Sequence, residues 1–347
     1  MLRLTLKNLA ANRVRFALTT FAVILAVSFV VSSFVLTDGL RSTFGNLSEE
    51  IVDGTDLEVR PVADFGDPQP LDAALLEEVA MVDGVRAVAP YVEAPDNAIM
   101  PVKRDGTLIS ANGPPQLAFG WIETPGLSPF TLVSGTAASS GTFTIDIDAA
   151  DRHGFAVGET YEVVTPEGRM QFELSGLTTF GTDNDTVGAT LMQFEAEQLQ
   201  TLIGQAGYDA IEIALEADAD ASVVQRSVTA VLSGDIEVVD NATLESEQRA
   251  EFNEGIDIIG NVLLGFAAVS LFVSIFIIYN TFSIVLGQRT RELALLRTVG
   301  ADPVQLRRSV QAEALVMGIV ASAIGIAAGI GVAYGLRSLF GALGATL

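Results

Sequence analysis

The sequence predicts an α-helical membrane protein, with three transmembrane helices and a large extracytoplasmic α+β domain between the first two. Three observations predict it. Three apolar runs are each long enough to cross a bilayer, which takes roughly 20 residues as a helix. Basic residues gather beside these runs, while acidic residues crowd the long segment between the first and second. That segment mixes strand-like alternation with helical periodicity and has no strict βαβ period, which is the pattern of an α+β domain. Composition agrees. Of 347 residues, 49% are hydrophobic and 18% charged, against about 25% charged in soluble proteins. The mean hydropathy is +0.43.

The chain begins with a basic segment, residues 1–15, in which Leu2, Leu4, Leu6, Leu9 and Val14 alternate loosely with Arg3, Lys7, Arg13 and Arg15. It reads either as an amphipathic helix lying on anionic lipid heads or simply as a charge signal for orientation. The first span covers 16–37, with "FALTTFAVILAVSFVVSSFVL" from Phe16 to Leu36. It exceeds the length of a signal-peptide core. Val35-Leu36-Thr37-Asp38 offers no small-residue cleavage pattern, so the span reads as an uncleaved anchor. The second span is 256–286 and the third 314–336, "ALVMGIVASAIGIAAGIGVAYGL".

Charge sets the orientation. Residues 1–15 carry four bases and no acid, and 287–313 carries five arginines against Glu292, Asp302 and Glu313. From Asp38 to Asp257 there are 40 acids and 9 bases. The positive-inside rule puts the N-terminus and 287–313 in the cytoplasm and residues 38–255 outside, leaving a short outside tail at 337–347.

Within 38–255, "STFGNLSEE" continues the first helix before a strand at "DLEVRP". "LDAALLEEVAMVDGVRAVAPYVEA" reads as helix, Asp83-Gly84 turn and strand. "MPVKRDGTLISANGPPQLAFGWIETPG" reads as a loop-rich hairpin insertion. The stretch from Thr142 to Phe180 reads as period-two strands broken at "PEG", 166–168. "MQFEAEQLQTLIG" reads as a helix with a glycine stop, and residues 208–240 as strand, helix, strand. The stretch "NATLESEQRAEFNEGIDIIGNVLL" has no proline, so one stiff helix can run from the outer domain into the second span.

In the third span, Gly325 and Gly329 are four apart, as are Gly331 and Gly335. Such spacing lets helix backbones approach closely, and the four are read as a packing face. Asn280 and Thr281, deep in the second span, are expected to serve helix contacts.

Several chemistries are excluded or disfavoured. A formal net charge of −24 does not suit nucleic-acid binding. There is no cysteine, hence no disulfide and no thiolate metal site. His153, the only histidine, reads as an exposed turn residue. Asp183 and Asp185 in "TDNDT" lack the glycine and terminal glutamate of a calcium loop. There is neither a G-x-x-x-x-G-K-[ST] phosphate loop nor a G-x-S-x-G nucleophile turn. No catalytic residue and no metal site is expected.

The segment "LGQRTRELALLRTVGADPVQLRRSVQAEAL" has its own grammar. One helix is expected to end at Gly300. The next opens with Asp302 as N-cap and Pro303 at the first helical position. Together with its flanks, Asn280 to Leu336, this stretch resembles the FtsX-like/MacB-like permeases of ABC transporters. Their R-x-R-E-[IL]-x-[LM]-[LR]-R-x-x-G-A run appears as Arg289, Arg291, Glu292, Leu293, Arg297, Gly300 and Ala301, with Glu313 opening the third span. "FVLTDGLRSTF" and "GTDLEVRP" are similar to larger actinobacterial-type members.

The resemblance implies an outer domain of periplasmic-core-domain type and a non-catalytic permease. It implies a separate ABC ATPase as partner, with ATP and Mg bound there and no cofactor held directly by this chain. It implies that Arg289, Arg291, Glu292, Arg297, Gly300, Ala301, Asp302 and Glu313 couple to that ATPase. Further partners are membrane lipids, a second permease half or a second copy, and an extracellular substrate or hydrolase. The expected function is export or extraction of a lipid, lipoprotein, peptide or drug at the cell membrane. The alternative is a regulator that activates an extracellular cell-wall hydrolase without transport. Family members carry a fourth span, and larger ones a second copy of the unit. The chain stops at Leu347 before either and is expected to be an N-terminal half or a half-permease.

Overall fold

A computed structural model describes residues 13–62, 68–109, 114–182, 184, 186–288, 290, 294–295, 298 and 302–342. The chain forms two compact units: Met1–Arg41 with Asn253–Leu339, and Ser42–Phe252 with Phe340–Leu347.

The first unit is helical. It draws on α1 (Arg13–Ile51), α6 (Asn241–Gln288) and α7 (Pro303–Ala342). Each is long and apolar enough to cross a membrane. A helix suits these sequences because every backbone donor and acceptor is satisfied within the element, as hydrocarbon demands. α6 has 48 residues without a break. At 1.5 Å per residue it is about 72 Å long, against roughly 30 Å of hydrocarbon core. Large apolar side chains face outward, among them Phe272 and Tyr279, both at least 70% exposed. Polar groups turn inward. Ser274 is buried and its hydroxyl donates to the Ala22 carbonyl at 3.0 Å. Ser32 and Ser33 donate back to Phe29 within their own helix.

The second unit is the α+β domain, built on two sheets. The first has strands β1 (Leu57–Pro61), β2 (Val85–Tyr91), β10 (Ala210–Leu215) and β11 (Ile236–Asp240), in the order β11-β1-β10-β2, all antiparallel. Leu57 pairs with Asp240, and Glu58 with Glu212. One face carries Leu57, Val59, Ile211 and Ile213, all fully buried beneath α2 (Ala74–Ala80) and α5 (Ala221–Val231). α5 starts where the Asp220 carboxylate accepts from the amides of Ser222 and Val223, an N-cap.

The second sheet contains β3 (Met100–Pro101), β4 (Gln116–Gly120), β5 (Phe130–Gly135), β6 (Thr142–Asp146), β7 (Thr160–Thr165), β8 (Gly168–Phe180) and β9 (Thr190–Phe194). Its order is β3-β7-β8-β6-β9-β4, with β5 also on β8. The β6–β8 and β4–β9 pairs are parallel. Its core packs Phe143, Leu174, Met192 and Phe194 against α3 (Ile147–His153) and α4 (Ala196–Ile203).

Three sequence expectations are corrected here. The 100–126 stretch is hairpin-like only at its tip, where Val102 bridges antiparallel to Leu108; otherwise β3 pairs with β7, and β4 lies parallel to β9 inside the sheet. Met192 to Phe194 belong to a strand, and the helix begins only at Ala196. The region after Thr142 contains α3, capped by Asp146, whose carboxylate accepts from Ala149 at 2.7 Å, and closed by the left-handed Gly154. His153 is therefore the last helical residue rather than a turn residue, and it is half-buried. Burial and the nearby cations Lys103 and Arg152 push its pKa down to about 4. Asp183 and Asp185 lie outside the described residues.

Candidate functional site: the basic segment and the paired helices

The basic segment between α6 and α7 is the strongest functional signal in the sequence. Arg289, Arg291, Glu292, Arg297, Gly300 and Ala301 lie outside the described residues, and Glu313 is described only as part of the α7 backbone. Asp302 is described. Its carboxylate accepts from the Val304 amide at 3.0 Å and its carbonyl from Gln305 at 3.0 Å, so it caps α7 with Pro303 at the first helical position.

The glycines read from the sequence as a packing face of α7 divide into two pairs. A Cβ on Gly325 would sit 2.8 Å from Val27 Cβ and 3.1 Å from the Ile24 carbonyl oxygen. One on Gly329 would sit 2.7 Å from the Ser28 carbonyl oxygen and 2.8 Å from Val31 Cβ. These two glycines bring α7 backbone against α1. Gly331 and Gly335 meet nothing within 4 Å in this chain.

Within the α+β domain the end of α1 and the start of α6 are tied side by side. The Asn241 side-chain amide donates to the carbonyls of Val52 at 3.0 Å and Thr55 at 2.7 Å, in the turn between α1 and β1. Phe44 and Phe252 pack with ring centroids 4.9 Å apart. Arg249 bridges to Glu49 on α1 and to Glu245 one turn back on α6. The Glu50 carboxylate accepts from the amide and hydroxyl of Thr182, linking α1 to the loop after β8.

Arg60 joins three elements. Its Nε donates to Glu237 at 2.6 Å on β11, and Nη1 and Nη2 donate to Glu247 on α6 at 2.6 and 3.1 Å. The two-pronged contact is the geometry a guanidinium offers a carboxylate. Arg60→Ala is expected to destabilise the domain by about 1.5–3 kcal/mol, the range for hydrogen bonds to charged groups. A thermal melt of the purified protein checks this.

The second face of the four-stranded sheet is unlike the first. It lines a cavity of about 400 Å³ with Glu58, Glu93, Asp209 and Glu212, closed on one side by Leu244 and Glu247 of α6. Burial pushes the Glu212 pKa up to about 8, and neighbouring Glu58 adds to the rise. Burial also raises Glu58 to about 7 against the pull of Arg60, and Glu93 to about 7 against a hydrogen bond from Tyr91. No motif or local spacing in the sequence groups these four acids. A signal was available, since Glu212 interrupts the wholly apolar strand "AIEIAL".

Comparisons with known proteins agree with this architecture. The model of the FtsX-like permease C-terminal region matches residues 264–345, and that of the MacB-like periplasmic core domain matches residues 16–231. Among curated proteins no relative matches. The chain is similar to the crystal structure of the periplasmic region of MacB from Actinobacillus actinomycetemcomitans, at 13% identity and TM-score 0.42, over 56% of this chain and 94% of that one. It is similar to the extracellular domain of the noncanonic ABC-type transporter YknZ from Gram-positive bacteria, at 14% identity and TM-score 0.38, over 54% and 99%. A domain of a putative permease from Porphyromonas gingivalis aligns at 11% identity and TM-score 0.37, over 53% and 87%.

Proposed function

The chain belongs to the family of ABC transporter permeases that join a MacB-like periplasmic core domain to an FtsX-like C-terminal region, and from that premise we propose how it works. It is the transmembrane subunit that couples ATP hydrolysis in a separate ABC ATPase to motion of its outer domain, for export or extraction of a lipid, lipoprotein, peptide or drug. The N-terminus and residues 287–313 face the cytoplasm in this reading. ATP and Mg belong to the ATPase, and a second permease half or a second copy of this chain completes the transporter.

One observation carries the reading. α6 is a single unbroken helix from Asn241 to Gln288. Its first turns are held to the α+β domain by Asn241, Glu247 and Arg249. Its last turn leads directly into the Arg289–Ala301 motif. A helix this long, with no proline at which to kink sharply, can transmit axial displacement. The motif supplies charge for docking: Arg289, Arg291 and Arg297 toward acids on the ATPase, Glu292 toward an arginine, and Gly300-Ala301-Asp302 as the turn that orients α7.

The test uses the full chain purified from membranes with the ATPase that accompanies it. Glu292→Lys and Gly300→Val are expected to leave insertion and basal ATP hydrolysis intact and to reduce export at least tenfold. Normal export by both variants would sink the proposal. Intact export with none of the ATPase recovered would sink the assignment of a separate motor subunit.

A further inference from the structure

The acid-lined cavity of the α+β domain has no part in the coupling scheme, and its chemistry is specific. Glu58 and Glu212 are registered directly opposite each other on β1 and β10. Like charges in that relation repel, and a buried pair repels more strongly than an exposed one. Glu212 is only 6% exposed, lines the cavity, and its Oε2 has no hydrogen-bond partner among the described residues. An unpaired buried carboxylate oxygen is costly and calls for a donor.

The neighbouring groups do not supply one. Arg60, the cation on this wall, directs three of its five N–H groups at Glu237 and Glu247 and makes no hydrogen bond to Glu212. The Tyr91 hydroxyl donates to Glu93 at 2.7 Å. Asp209 already accepts from the Glu93 amide and from Gln205, each at 2.8 Å. Glu251, on α6, adds one more acid. The imbalance is an excess of acceptors over donors.

We propose that this cavity binds an alkylammonium or guanidinium group, seated between Glu58 and Glu212 and donating to the free Glu212 oxygen. Among the described residues no three acids are grouped as metal ligands, which favours an organic cation with several N–H donors over a metal ion. Val52, Leu244 and Pro70 give the same cavity an apolar wall for the aliphatic part of such a ligand. Its volume of about 400 Å³ lies in the range of small-molecule sites. Burial raises both carboxyl pKa values, with Glu58 adding to the rise at Glu212, so in the free protein a proton neutralises these acids. Amine and proton therefore compete. The ammonium or guanidinium can come from a free di- or polyamine or from a basic side chain of a polypeptide.

Isothermal titration calorimetry on the full chain in a neutral detergent tests this, with three probes at pH 6 and pH 8. The probes are 1,4-diaminobutane, the blocked peptide acetyl-Gly-Lys-Gly-amide, and calcium chloride. The expected result is saturable one-site binding of an amine at pH 8. Binding should be at least tenfold weaker at pH 6, at least tenfold weaker in Glu212→Gln and in Glu58→Gln, and unchanged in Glu77→Gln at a distant surface position. Preference for the diamine identifies a free polyamine as the ligand class, and preference for the peptide a basic side chain. Absence of amine binding at pH 8, equal affinity in wild type and both cavity variants, or calcium binding without amine binding would each overturn the proposal.

Discussion

Raising the pH above about 6.5 will destabilise the protein, and Glu212→Gln will remove most of that loss. The sign follows from proton linkage. Glu212 has its pKa raised from an ordinary 4.5 to about 8 by burial. Below 4.5 both folded and unfolded chains hold the proton, so nothing is lost. Between 4.5 and 8 only the folded chain retains it. The folded state then binds more protons than the unfolded one, and stability falls as pH rises. Glu58 and Glu93, raised to about 7, and Asp146, raised to about 6, act in the same direction over narrower windows. His153 opposes them between about 4 and 6.5, where burial keeps it neutral while the unfolded chain is protonated. The net fall is therefore clearest above pH 6.5. A tenfold difference in proton affinity between folded and unfolded chains is worth about 1.4 kcal/mol, so the Glu212 contribution is a few kcal/mol. Thermal melts of the wild type and Glu212→Gln at pH 6.5, 7.5 and 8.5 check this. The variant should be the more stable at high pH and show the flatter profile. Parallel profiles would show that the Glu212 carboxyl does not titrate in this range.

Gly329→Val is expected to separate α7 from α1. The new Cβ would sit 2.7 Å from the Ser28 carbonyl oxygen and 3.1 Å from Ser28 Cα. Both are backbone atoms, so no side-chain rotation relieves the clash. α7 must move, and the contacts of Gly325 with Val27 and Ile24 move with it. Overpacking costs about 1–3 kcal/mol. In a membrane the loss is not made good by hydrophobic burial, because close backbone approach is itself the main attraction between such helices. Gly331→Val and Gly335→Val, at sites with nothing within 4 Å, are the matched controls. Melting in detergent should fall by several degrees for Gly329→Val and stay within a degree for the controls, for a chain of this size. Equal melting of all three would remove the distinction between the two glycine pairs.

Much of this architecture was legible in the sequence, for identifiable reasons. The spans are long uniform runs, and length alone separates them from other helices. Strand, helix, strand is legible over 208–240 because Asp220 and Ser233-Gly234 punctuate it. β9 was misread because all five of its residues are buried, which erases the alternation that marks a half-exposed strand. α3 was overlooked because seven residues are too few for a periodic signal, although its Asp146 cap and Gly154 stop were both present. β4 reads as part of a hairpin insertion because its parallel partner, β9, lies some 70 residues away and leaves no local trace. At the candidate sites the motif of the basic segment after α6 is local and therefore visible. The acid cavity is not, since Glu58, Glu93 and Glu212 become neighbours only when β1, β10 and β2 pair.

The pairing of Leu57 with Asp240 has a mechanical consequence. β1 begins six residues after α1 ends, and α6 begins where β11 ends. Both helices are thus attached to the domain at one end of the same five-rung ladder, with Asn241 knotted across that end. Traction shared by the two helices leaves this ladder unloaded and is borne by the domain as a whole. Traction that spreads them concentrates on the Asn241 knot and then on one rung at a time, as in a zipper, where strand pairs yield at low force. The attachment therefore resists a force shared by α1 and α6, and it makes their divergence the movement by which the domain would tear.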